Sequence, residues 1–128
     1  MLSDCPAVAF VAAANLNRAR AFYEGVLGLA IVSQDGFAVV ARAGGVTIRI
    51  TQPPEVLLAP YTVLGFDVTD VASEAAALAL RGVSFERYDW MGEAQDADGV
   101  WTAPGGAKVA WFKDPDGNLL SLSQAPPA

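Results

Sequence analysis

The side chains able to do chemistry here are few. The chain has no histidine and a single cysteine among 128 residues, so a His-ligated metal and a histidine acid or base both lie outside its repertoire. Cys5 stands between Asp4 and Pro6, neither of which would lower a thiol pKa, and it reads as inert. Proton transfer falls to carboxylates and phenols, of which Asp67, Glu86 and Tyr61 lie on segments with strand-like patterning. Burial would raise such carboxyls toward the range of a general base. Arg49 offers a planar fork for a ligand carboxylate or a developing oxyanion, with an internal salt bridge, for instance to Asp67, as the competing use. Phe37, Trp90 and Trp101 are aromatic rings suited to walling a flat ligand, with core or dimer packing as the plainer alternative.

Several classes are excluded by what surrounds these residues. No G-x-G-x-x-G, Walker or G-x-S-x-G pattern occurs, so dinucleotide, nucleotide and triad-hydrolase readings have no support. Eight basic residues against 14 acidic give a net charge of −6, which repels a phosphate backbone and argues against nucleic acid. Charged residues interrupt every apolar run before the roughly 18 residues a membrane span requires. The start of the chain lacks the basic region of a secretory signal, and the lone cysteine suits a reducing compartment; the expected location is the cytoplasm.

The elements that must position these residues follow from periodicity. Ala7 to Ala13 reads as a strand, Asn15 as a helix cap, and Leu16, Ala19, Phe22, Tyr23, Val26 and Leu27 recur at helical spacing before Gly28. Three short strands follow: Leu29 to Ser33, Phe37 to Arg42 and Val46 to Gln52, parted by Gln34-Asp35-Gly36 and Gly44-Gly45. Pro53, Pro54 and Pro60 mark residues 53–60 as a linker. The order then repeats over about 61–124. Tyr61 to Val68 is strand-like, Asp70 caps a helix through Arg81, and Val83 to Trp90, Lys108 to Phe112 and Leu119 to Ser123 supply three more strands. Val8 and Val63, like Leu16 and Val71, stand 55 residues apart, as a duplicated βαβββ unit requires. Met91 to Ala107, which holds Trp101, is an inserted loop in the second unit and reads as a lid. Asp114-Pro115-Asp116-Gly117 lacks the later carboxylate of a calcium loop and suits a tight turn.

This doubled unit, with Phe22-Tyr23-Glu24-Gly25-Val26-Leu27-Gly28-Leu29 after the first strand and Asp114-Pro115-Asp116-Gly117-Asn118 near the end, resembles the vicinal oxygen chelate superfamily. That superfamily includes glyoxalase I, ring-cleaving dioxygenases, fosfomycin-resistance enzymes and bleomycin-binding proteins. The resemblance covers nearly the whole chain, which would be one domain over residues 1–128. It implies an α+β fold in which two βαβββ units (about 7–52 and 61–124) form a cup-shaped mixed sheet, with helices on the outer face, a ligand cleft inside, and a homodimer as the working form. Metal-dependent members project four ligands into the cup, and motif spacing places those positions at Val8, Arg49, Val63 and Ser121. None suits a metal, and a guanidinium would repel one.

The expected branch is therefore metal-free and cofactor-free, nearest to bleomycin-binding proteins, with a small molecule as partner and neither nucleic acid nor membrane. The expected ligand-binding residues are Phe10, Phe37, Arg49, Tyr61, Trp90, Trp101 and Ser121, of which Phe10 and Tyr61 share strand parity with Val8 and Val63. The leading expectation is sequestration of an antibiotic or aromatic compound. A metal-free isomerase or lyase using Asp67, Glu86 or Tyr61 with Arg49 is the alternative, and a dimerisation or regulatory module is a third. Trp111 and Phe112 are adjacent and must face opposite ways, and pattern alone leaves open which one lines the cleft.

Overall fold

Short polar side chains begin both helices. Asn15 Oδ1 accepts the Arg18 N–H at 2.9 Å, and Asp70 Oδ1 accepts the Ser73 N–H at 3.1 Å. Each satisfies a donor that a first turn leaves unpaired, a contribution of about 1 kcal/mol. The computed structural model describes residues 1–128, grouped into one unit of Met1–Leu58 with Pro115–Asn118 and another of Ala59–Asp114 with Leu119–Ala128.

The first unit runs β1 (Val8–Ala12), α1 (Leu16–Arg20), a wider π-helical turn (Ala21–Val26), β2 (Ala30–Gln34), β3 (Ala38–Ala43) and β4 (Val46–Thr51). Its strands order β1-β4-β3-β2, with β1 parallel to β4 and the rest antiparallel. Alternation sends Val11, Val39, Ala41, Ile48 and Ile50 to one face, where they are buried together with Leu16, Ala19 and Tyr23 of the helical segment. The expected single helix to Leu27 is thus present as an α-turn run that widens, with the Leu27 N–H reaching the Phe22 carbonyl. Gly28 takes φ 75°, the left-handed stop that spares a side-chain clash.

The second unit runs β5 (Leu64–Asp67), α2 (Val71–Leu80), a 3-10 turn (Asp89–Ala94), β6 (Trp101–Thr102), β7 (Lys108–Lys113) and β8 (Leu119–Gln124). Its order, β5-β8-β7-β6, matches that of the first, again with one parallel pair. Leu64, Ala110, Phe112, Leu120 and Leu122 are buried on the helix side with Val71, Ala75 and Leu78 of α2. Gln124 reaches the helix start, its Oε1 accepting the Val71 N–H at 2.9 Å. The fold is α+β, two four-stranded mixed sheets each covered by a helix on one face.

Two expected strands differ. Val83 to Trp90 is no strand: it touches β7 through the Phe85–Phe112 bridge and the Glu86 N–H to the Trp111 carbonyl, then leaves for the 3-10 turn. The edge position goes to Trp101–Thr102, so the expected lid contains the edge strand. Tyr61 to Val68 shortens to Leu64–Asp67, with the Val63 N–H on the Leu119 carbonyl as its last link. Strand β8 begins at Leu119, so residues further back have no partner, and Pro60 has no N–H to give.

The turn joining β7 to β8 belongs with the first unit. Asp116 Oδ1 accepts the Ala14 N–H at 2.9 Å and pairs with Arg18 Nη2 at 2.7 Å, while Asn118 Nδ2 donates to the Ala12 carbonyl at 2.8 Å. These bonds fix the exit from β1 and the first turn of α1.

Candidate ligand-binding site

In the second unit, cross-strand register arranges the face opposite α2 into rows. Asp67, Ser123, Val109 and Trp101 stand side by side across four strands; Gly65, Ser121 and Trp111 form the next row, and Leu119 pairs with Lys113 beyond it. Phe112 is fully buried under the helix, so Trp111 lines the open face, the assignment that alternation by itself left undecided.

Four rings run along this face. Trp101 and Trp111 lie 6.0 Å apart between centroids at 37°, Tyr88 meets Trp111 edge-on at 5.6 Å, and Trp90 lies 6.5 Å from Tyr88. Trp90 is 76% exposed and the other three are partly covered, so the run presents apolar ring surface to solvent. The Tyr88 phenol is held above its ordinary pKa, chiefly by burial and then by the Glu86 carboxylate, with Lys113 pulling the other way. Glu86 and Lys113 form an ion pair at 3.0 Å, and Asp67 Oδ1 accepts the Ser123 hydroxyl at 2.9 Å. The expected proton-transfer set is thus dispersed into other bonds: Glu86 is paired, Asp67 holds a serine, and Tyr61 is two-thirds exposed outside any strand.

The segment bearing Tyr88 and Trp90 is secured by one buried amide. Gln95 is 4% exposed; its Nε2 donates to the Glu86 and Gly99 carbonyls at 2.8 and 3.0 Å, and its Oε1 accepts the Tyr88 N–H at 3.0 Å. Arg87 adds bonds to the Asp96 and Gln95 carbonyls. Neither Gln95 nor Tyr88 was evident from patterning, since glutamine and tyrosine on an irregular stretch carry no periodic signal.

In the first unit, the open face carries Val8, Phe10, Thr47, Arg49, Val40 and Arg42. Phe10 is directly opposite Arg49, whose guanidinium carbon lies 5.5 Å from the ring centroid. That cation–π contact is the partner the structure gives Arg49, worth about 0.5–1 kcal/mol at an exposed site. Phe37 is 83% exposed at the β2–β3 turn, where Asp35 Oδ1 accepts the Phe37 and Ala38 N–H groups at 2.7 and 2.9 Å. Those bonds hold the Asp35 carboxyl below its ordinary pKa. Of the seven expected binding residues, Trp90, Trp101 and Ser121 share the open face of the second unit and Phe10 and Arg49 that of the first. Phe37 sits at a turn, and Tyr61 precedes its sheet.

The four positions that the resemblance assigns to metal ligands, Val8, Arg49, Val63 and Ser121, are equivalent in the two sheets. Val8 precedes the partner of Arg49 by two residues, as Val63 precedes Gly65, the partner of Ser121. Two valines carry no donor, a guanidinium repels a cation, and a lone hydroxyl binds a divalent ion weakly, so these residues do not fit a metal.

A model of the Glyoxalase/Bleomycin resistance protein/Dioxygenase superfamily matches residues 7–122. Among solved structures, lactoylglutathione lyase from Agrobacterium tumefaciens aligns with TM-score 0.72 at 18% identity, over 95% of this chain and 94% of that one. A glyoxalase/bleomycin resistance protein from Catenulispora acidiphila gives 0.70 at 21% identity, over 94% and 98%. A glyoxalase/bleomycin resistance protein/dioxygenase from Alicyclobacillus acidocaldarius gives 0.70 at 17%, over 94% and 91%. No curated protein sequence matches the chain.

Proposed function

The chain belongs to the Glyoxalase/Bleomycin resistance protein/Dioxygenase superfamily, and from that premise we propose that it is a metal-independent small-molecule binder that sequesters an aromatic compound such as an antibiotic. The run of Trp101, Trp111, Tyr88 and Trp90 on the open face of the second unit carries this reading. Ring surface held in place by neighbours stacks a flat ligand with little loss of side-chain freedom. Valine, arginine, valine and serine at the four inferred metal positions support binding without a metal. The working form is a homodimer.

The test is titration of chelator-treated protein with planar antibiotics and aromatic metabolites, read by tryptophan fluorescence and melting temperature. Quenching and a rise in melting temperature, unchanged on adding zinc or nickel, are expected. A panel that moves neither signal, or binding that requires the added metal, overturns the reading.

A further inference from the structure

We infer that the open face of the second unit selects flat rings carrying N–H donors over the same rings carrying a carboxylate, through the exposed Asp67 carboxylate beside the Gly65–Ser121–Trp111 row. This inference rests on the proposed stacking site and specifies the chemistry of its occupant.

Three observations meet there. Gly65 lies in the middle of strand β5, where a glycine weakens the strand and provides no side chain to pack. A Cβ at that position would stand 2.9 Å from the Ser121 hydroxyl oxygen, closer than two such atoms tolerate. The row Gly65, Ser121, Trp111 is therefore bare backbone at one end and an indole at the other, with the 8%-exposed Ser121 hydroxyl between them. The Ser121 hydroxyl takes the space a side chain at position 65 would need, so nothing projects from β5 there beside a ring laid against Trp111.

The next row decides what that edge carries. Asp67 is two residues along β5 on the same face, and it is exposed. The Ser123 hydroxyl donates to its Oδ1, and the exposed carboxylate keeps further acceptor capacity for a ligand on this face. The cation on this face, Lys113, is already bound to Glu86 at 3.0 Å in the row at the far side of Trp111. An amino or amidine group at the ring edge meets an acceptor and an opposite charge; a carboxylate there meets a like charge. The chain's net charge of −6 adds to this discrimination at low salt.

The experiment compares 9-aminoacridine with acridine-9-carboxylate, one ring system with opposite edges, by quenching of tryptophan fluorescence. The wild type should bind the amine at least about tenfold more tightly, and Asp67→Asn should reduce that ratio to about threefold or less while leaving the carboxylate's affinity equal or improved. Binding of both acridines with equal affinity, or an amine preference that survives Asp67→Asn, overturns this inference and leaves the stacking site standing. If neither acridine quenches tryptophan fluorescence, the stacking site is overturned as well.

Discussion

The two units share strand order, a parallel pairing of their first and last strands and an Asx-capped helix, yet they close their sheets differently. In the first, β2 is five residues long and pairs along β3 with one irregularity between Ile31 and Ser33. In the second, the equivalent edge is the two-residue Trp101–Thr102, and the chain from Val83 to Val100 crosses the sheet's flank through isolated bridges. Backbone pairing lost at that edge is replaced by the Gln95 amide, which supplies two donors and one acceptor to three peptide groups. A segment freed from the ladder need not alternate its side chains, and it brings Tyr88 and Trp90 to the ring that Trp111 presents. The first unit, with its edge strand paired along β3, shows on its open face one aromatic ring and two arginines.

The largest effect that would test this contrast comes from Phe112→Ala. Phe112 is fully buried and packs edge-on against Phe85 at 5.6 Å, so it supports both the helix-side core and the irregular segment. A loss of about 3–5 kcal/mol in denaturant unfolding is expected, accompanied by collapse of the near-UV tryptophan signal. A loss below about 1 kcal/mol would mean the segment does not rely on this contact. Next in size is Gln95→Leu, which is close in volume but leaves three peptide groups without their partners. It should cost about 1–3 kcal/mol. Faster amide hydrogen exchange should appear at Tyr88 and around Glu86, while β3 and β4 of the first unit keep their protection. Uniform acceleration across both units would break the comparison.

The regular parts of the fold were legible because their signals are local. Asn15 and Asp70 sit where their caps form, Gly28 and Gly82 take positive φ at the helix ends, and Ile48, Ile50, Leu120 and Leu122 turn to the helices as alternation requires. Thr47, Arg49 and Ser121 likewise reach the open faces. The misses arise where a partner decides the outcome. Phe85 and Arg87 look like strand residues, but pairing there ends after one bridge because Gln95 provides the alternative. Tyr61 has strand character and lacks only a neighbour, since β8 begins at Leu119. Trp111 was undecidable by parity until the register placed Phe112 against Leu120. Asp116 and Asn118 read as turn formers, and their bonds to Ala14 and Ala12 span more than 100 residues, beyond any local pattern.

The smallest expected effect lies in pH, and it should separate the units at opposite ends of the scale. Asp35, in the first, has its pKa lowered by the Phe37 and Ala38 N–H groups. The stabilisation from that lowering is present above the ordinary carboxylate value and is lost as pH falls through the depressed one. Tyr88, in the second, has its pKa raised by burial and by Glu86. Its contribution is complete below the ordinary phenol value of about 10 and is lost as pH rises through the elevated one. Asp35→Asn should therefore flatten the acid limb of melting temperature against pH while leaving the alkaline limb alone. Tyr88→Phe should do the reverse and remove one late phenolate from the ultraviolet titration. Both shifts should amount to a few degrees at most, because Asp35 is exposed and Tyr88 only partly covered, so that their interactions are screened. If Tyr88→Phe, which keeps the ring against Trp111, left the alkaline limb unchanged, burial and the Glu86 charge would have no part in setting the phenol's behaviour, and Tyr88 would serve the aromatic face through ring packing alone.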